Sequence, residues 1–298
     1  MIRDRLTDYE RMLKAARSAK TVECYMQGLA HFFQFLGPMA VTPSTTTEFM
    51  SWASENRKWK PGTTRLYVTA VRSFLTFCQV RGEAVPDQAI GMMPRMETRI
   101  SAVISEGHLQ QYMEAARTIP EPYATAILLL PLTGLRVSEM CHLRISDVAV
   151  KPPNGFDFIL RGTKGKRDRV VPLLMAGVPV FKHYLLVTRA RLPGDLWVFP
   201  SRQKKRHTHI SVRSMEYKIG AIKKTLGIRH LTPHTMRHVY ATVLERQGVS
   251  SLKIMQILGH RDINTTRTYV HLTSEDLRGD LDDVKTPWAE TAEEMIDD

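Results

Sequence analysis

Cysteine is scarce in this chain, and the three that occur, Cys24, Cys78 and Cys141, are widely spaced and form no Cys-x-x-Cys pair. An odd, scattered set suggests neither a disulfide framework nor a cysteine zinc site, so these thiols read as small buried hydrophobes. Long apolar runs are missing as well. No stretch reaches the length of a bilayer span, and the start, Met1-Ile2-Arg3-Asp4-Arg5, has no apolar signal core. The expectation is a soluble, cytoplasmic protein without a membrane partner. Neither an internal repeat nor a low-complexity tract occurs. Gly162-Thr163-Lys164-Gly165-Lys166 lacks the glycine spacing of a Walker loop, so no ATP site is expected.

What is present in excess is positive charge. The net charge of +12 over 298 residues is unevenly spread. Residues 1–95 carry a net +5, residues 96–273 a net +15, and residues 274–298 a net −8. A body this basic fits a polyanion partner, with binding that weakens steeply as salt rises and counterion release loses its advantage. Charges that simply solvate exposed helix faces explain the same composition equally well.

With 43% hydrophobic residues, the length favours two domains over one large core. Val22, Tyr25, Met26, Leu29, Phe33 and Leu36 recur at helical spacing and stop at Gly37-Pro38. A second helix opens after Pro61-Gly62 and should turn Leu66, Ala70, Phe74 and Phe77 inward, with Arg65 and Arg72 on other faces. Such helices pack as a bundle. Gly82 to Arg99, broken by Pro86, Gly91 and Pro94, reads as a linker, placing the domain boundary near residue 98. Beyond it, a helix begins after Ser105 and an apolar helix spans Ala124 to Leu132. Phe156 to Leu160 and Val170 to Leu173 read as strands of a hairpin with the basic tip Arg161 to Arg169, and the pattern is helical again from Val212. The fold class expected is mainly α with a small β-sheet or hairpin.

Chemistry concentrates in short separated segments. Thr133-Gly134-Leu135-Arg136-Val137-Ser138-Glu139 pairs a guanidinium with a carboxylate, and His234-Thr235-Met236-Arg237-His238 sets a second guanidinium among imidazoles. Leu258-Gly259-His260 and Thr265-Thr266-Arg267-Thr268-Tyr269 add a further imidazole and a phenol. Two arginine forks can hold phosphate oxygens while a tyrosine hydroxyl attacks phosphorus, without a metal. Taken alone, each of these residues has an ordinary alternative: Tyr269 as a packing residue, either arginine as a surface or salt-bridge residue, Glu139 as a solvated carboxylate. His234 and His238 lie four apart, with His230 extending the row, but no third metal ligand is indicated, so no metal is expected.

In this order and combination the residues resemble the tyrosine recombinases, the family of phage integrases and Xer-type resolvases. The likeness runs from Ser18-Ala19-Lys20-Thr21-Val22-Glu23 to Tyr269-Val270-His271. It implies a helical core-binding domain over residues 1–98 and a mixed α+β catalytic domain over 99–273. It places Arg136, Lys164, His234, Arg237, His260 and Tyr269 at catalytic positions, with Glu139 and His238 in support. Tyr269 is then the nucleophile that forms a 3′-phosphotyrosyl link and frees a 5′-hydroxyl. Arg136 and Arg237 neutralise the non-bridging oxygens, Lys164 protonates the leaving oxygen, and His234 and His260 donate hydrogen bonds or exchange a proton. On chemistry alone Lys166 competes with Lys164, and the family register selects the latter.

The resemblance also implies partners. These are double-stranded DNA with inverted binding arms around a crossover region, a homo-tetramer that passes through a Holliday junction, and an accessory DNA-bending protein in some systems. No cofactor is needed, because the phosphotyrosine conserves the bond energy. Nothing before Ser18 resembles an arm-binding domain, which matches the Xer layout. The acidic segment 274–298 is expected to dock on a neighbouring protomer, with a disordered tail as the plain alternative. Phosphate contacts outside the centre are expected from Arg65, Arg72, Arg202, Lys204, Lys205, Arg206, Lys223 and Lys224. Two rivals stand beside this reading. A non-catalytic helix-turn-helix regulator would use residues 249–270 with Gly259 at the turn, and a type IB topoisomerase shares the tyrosine, arginine and lysine chemistry.

Overall fold

A computed structural model describes residues 2–90, 93, 104–152, 155–162, 168–202 and 208–259. The chain divides into two compact units, Met1–Arg99 and Ile100–Asp298.

Among the described residues, the α-helices of unit 1 form a bundle of four: α1 (Leu6–Ala16), α2 (Ala19–Leu36), α3 (Thr45–Arg57) and α4 (Pro61–Val80). Ser18 opens α2 by accepting the Thr21 N–H at 3.2 Å, which satisfies one of the donors a helix start leaves free. Pro61 opens α4 at a position where its missing N–H costs nothing. Tyr9, Leu29, Phe32, Phe49, Val68, Val71 and Phe74 build the core. The spacing reading of α4 needs one correction: Ala70, Phe74 and Phe77 are buried, but Leu66 is exposed. Tyr67, Val68, Val71 and Leu75 occupy the inner face, which turns position 66 to the outside. The stretch read as linker is also partly built into the unit. Val85 and Ala89 are buried, and the Thr46 hydroxyl donates to the Ala89 carbonyl.

Unit 2 is organised around α6 (Tyr123–Thr133), apolar on every side and buried from Ala124 to Thr133. A helix without a polar face must be enclosed. It contacts α5 (Glu106–Arg117), α8 (Val178–His183), α9 (Val212–Leu226) and α10 (Pro233–Arg246). The short α7 (Val137–Cys141) follows α6 directly, and α11 (Ser251–Leu258) follows α10. An antiparallel sheet in the order β1 (Val148–Lys151), β2 (Gly155–Leu160), β3 (Arg169–Pro172) completes the unit. Val148 faces Phe158 in one register and Val171 faces Phe158 in the other. The mainly helical fold with a small sheet is the class expected from the sequence, β1 being an addition to the hairpin. Among the described residues no helix is long and apolar enough to cross a membrane.

Candidate active site

Pro131 near the end of α6 prepares the site. It cannot continue the helical ladder, and two residues later the Thr133 hydroxyl donates back to the Leu129 carbonyl at 2.7 Å. Gly134 then takes φ +62°, a conformation glycine reaches without a Cβ clash. A Cβ at this position would lie 2.5 Å from Tyr240 Cδ1 and 2.8 Å from Leu258 Cδ2, so a side chain is excluded twice over. The chain reverses, and Arg136 becomes the residue that opens α7. Its backbone N–H donates to Glu139 Oε2 at 2.8 Å, the reciprocal contact of a helix start.

The Arg136 side chain donates from Nη1 to Glu139 Oε1 at 2.9 Å and from Nη2 to the Gly259 carbonyl at 3.2 Å. Arg237, on α10, is only 3% exposed. It donates from Nη1 to the Gly134 carbonyl at 2.6 Å and from Nη2 to the Leu258 carbonyl. A third guanidinium, Arg169 at the start of β3, donates to Glu139 Oε2 at 2.7 Å and to the Ile257 carbonyl at 2.9 Å. Three arginines therefore reach three successive carbonyls, 257, 258 and 259, at the carboxyl end of α11. Those carbonyls have no partner within their own helix, and the negative end of the helix dipole favours cations there. Gly259, with φ +64°, ends α11 and leads into the segment that carries His260 and Tyr269.

Electrostatics follow from this crowding. Burial first, then the charges of Arg136 and Arg169, bring the Arg237 pKa down to about 10, opposed by Glu139, so it stays cationic at neutral pH. Burial alone would raise Glu139, but the charge of Arg169, its hydrogen bond and the two bonds from Arg136 outweigh it and hold the carboxyl below its ordinary 4.5. Three guanidinium groups against one carboxylate leave an excess of positive charge among these four residues. Such an excess suits an anion, and the more so an anion that gains negative charge as it reacts.

His234 lies on the exposed face of α10, and its ring stands edge-on to His238 at 4.5 Å. Burial, then the charges of His238, Arg237 and Arg136, lower the His234 pKa, which keeps the imidazole neutral at neutral pH. A neutral ring can either donate one hydrogen bond or accept a proton. Among the described residues no three His, Cys, Asp or Glu side chains gather as a metal site.

The structure thus brings Arg136, Glu139 and Arg237 together and sets His234 and His238 on the same helix as Arg237. Lys164, His260 and Tyr269 lie outside the described residues, as do Lys204, Lys205, Arg206 and the segment 274–298. Of the other expected DNA contacts, Arg65 is exposed and Arg72 half-buried on α4, and Arg202 is exposed. Lys223 and Lys224 occupy the last turn of α9, where cations also complement the helix dipole. Nothing in the sequence pattern singles out Arg169, which lies inside the basic hairpin tip and has partners 30 and 88 residues away.

Because the shifted Glu139 pKa is lower than in an unfolded chain, its contribution to stability is complete above pH 4.5 and is lost as pH falls through the lowered value. Urea denaturation of wild type and Glu139→Gln from pH 7 to pH 3 is expected to show a stability gap that closes at the acid end. A gap unchanged at pH 3 would contradict the charged pairing.

A small sheet in a helical unit, with guanidinium groups gathered on a helix terminus, offers concentrated positive charge to an anion. The chain belongs to the phage integrase family, the tyrosine recombinases: the family model matches residues 102–276. A tyrosine recombinase of Thermosipho africanus is 28% identical over 267 residues, covering 87% of this chain and 91% of that protein. The tyrosine recombinase XerA of Pyrococcus horikoshii is 26% identical, covering 90% of this chain and 89% of that protein. In fold, the chain is similar to a lambda integrase tetramer bound to a Holliday junction, with a TM-score of 0.69 at 18% identity, over 89% of this chain and 75% of that one.

Proposed function

We propose that this protein recombines DNA at specific sites, using Tyr269 to cleave one strand at a time and hold it as a 3′-phosphotyrosine. The observation that carries the reading is the arginine cluster on the carboxyl end of α11. Arg136 and Arg237 sit at Gly259 and Leu258, and Tyr269 follows only ten residues later. A phosphate held by those forks is within short chain reach of the nucleophile.

The Tyr269 hydroxyl gives its proton to a neighbouring base, with His234 or His260 available as the imidazole, and its oxygen bonds to phosphorus. The bond from phosphorus to the 5′-oxygen breaks, and Lys164 supplies that oxygen with a proton. Arg136 and Arg237 neutralise the charge on the non-bridging oxygens throughout. Rejoining is the reverse: a 5′-hydroxyl of the partner strand attacks the phosphotyrosine and releases Tyr269. One phosphoester replaces another at each step, so no ATP is consumed.

Unit 1 and unit 2 act as core-binding and catalytic domains on duplex DNA with inverted arms, and four protomers assemble around two sites through a Holliday junction. The acidic segment 274–298 docks on a neighbouring protomer, and an accessory DNA-bending protein serves where the site requires it.

The test is a plasmid carrying two copies of a site recovered from covalent protein–DNA adducts on sheared genomic DNA of the source. Deletion or inversion between the copies in EDTA, without ATP, is the expected result. Relaxation of a plasmid that lacks the site would favour a type IB topoisomerase, and binding with every plasmid left unchanged would favour a regulator.

A further inference from the structure

Arg169 is placed to control the arginine cluster without holding the phosphate itself. Its Nη2 is committed to the Glu139 carboxylate and its Nε to the Ile257 carbonyl, whereas the Arg136 side chain is 40% exposed and open to a ligand. Resting on the recombinase reading, we propose that Arg169 is a positioning residue: one fork fixes the Glu139 carboxylate and the last turn of α11 together, and so sets Arg136 and the start of the segment bearing Tyr269 in register.

The division of the Glu139 carboxylate supports this. Oε1 receives Arg136 Nη1, while Oε2 receives both Arg169 Nη2 and the Arg136 backbone N–H. Removing Arg169 takes away the only side-chain bond that Oε2 has among these contacts. The carboxylate then gains rotational freedom, and the exposed Arg136 guanidinium gains it as well. The same loss frees the Ile257 carbonyl. Backbone at Gly259 also lies against this guanidinium, since a Cβ there would stand 3.1 Å from Arg169 Cδ and Nε. Arg169 is itself rigidly placed. It is the first residue of β3, paired in register with Leu160, and beside it Asp168 accepts the Gly162 N–H at 2.7 Å. A planar fork can serve a carboxylate and a carbonyl at once in fixed directions, which a lysine ammonium at the end of a flexible stem does not reproduce.

The experiment uses the full chain and the DNA site recovered from wild-type adducts, comparing wild type, Arg169→Gln, Arg169→Lys, Glu139→Gln and the Arg169→Gln/Glu139→Gln double variant. Thermal melting establishes folding, retention before denaturation gives DNA affinity, and adduct formation at saturating DNA gives the cleavage rate. Arg169→Gln is expected to bind DNA close to the wild-type level and to cleave about 100-fold more slowly, the scale of a small misplacement of reacting groups. Arg169→Lys is expected to stay slow despite its retained charge, and it carries the same comparison should Arg169→Gln not fold. The double variant is expected to lose less than the product of the two single losses, because the Arg169–Glu139 contact is removed in both single variants and only the Ile257 contact is lost independently. A folded Arg169 variant that cleaves at the wild-type rate, a loss confined to DNA affinity, or effects that multiply in the double variant would each overturn the positioning role. Wild-type protein that binds DNA yet forms no adduct would instead overturn the recombinase reading, and this role with it.

Discussion

Tyr269→Phe is expected to bind DNA as the wild type does and to form no covalent adduct at all. The substitution removes one oxygen, the atom that would become the ester link to phosphorus, and leaves the ring and every charge in place. The effect is therefore on chemistry and not on affinity. A free phenol titrates near pH ~10, so at neutral pH the attack depends on a nearby base and on an electrophilic phosphorus. Denaturing gels of wild type and variant, incubated with the recovered site in EDTA, measure this directly. A nicked substrate, which prevents rejoining, accumulates the wild-type adduct and sharpens the contrast. Adducts persisting in the phenylalanine variant would move the nucleophile elsewhere.

The second large effect is expected at Arg237. Its guanidinium is buried, joins the turn after α6 to the end of α11, and stays charged at neutral pH because its pKa is lowered only to about 10. Arg237→Ala leaves the Gly134 and Leu258 carbonyls without this donor, at a cost of about 1–3 kcal/mol for each buried group. Arg237→Lys is the more informative variant, since it keeps the charge and can serve one carbonyl. It is expected to fold and still to cleave about 100- to 1,000-fold more slowly, the usual effect of losing a preorganised donor to a developing charge. Single-turnover cleavage at saturating DNA separates this from affinity. A lysine variant with near wild-type cleavage would mean that the fork geometry is not needed.

Much of this architecture is legible in the sequence because local patterns carry it. The apolar spacing of α2, its serine cap and its Gly37 stop are all within one short stretch, and the uniformly apolar run of α6 can only be enclosed. The helix-and-hairpin class follows from such stretches. β1 escapes notice because it is only four residues long and leaves Val150 74% exposed, so it shows little alternation. Leu66 misleads because its spacing to Ala70 and Phe74 is correct for a stripe, while the neighbouring stripe through Tyr67, Val68 and Val71 packs better. Within the site, Arg136 and Glu139 are three residues apart, so their pairing across one turn of helix can be anticipated. The role of Arg169 could not be anticipated in this way. It depends on Glu139 and Ile257, which only the folded chain brings to one place, and the carbonyls at the end of α11 have no sequence signature at all.

The most direct measurement is to digest the wild-type adduct and locate the attached nucleotide by mass spectrometry. The expected result is a single peptide carrying a 3′-phosphate ester on Tyr269, with the 5′ end of the cleaved strand bearing a free hydroxyl. Attachment through any other residue, or through a 5′-phosphate, would contradict the mechanism.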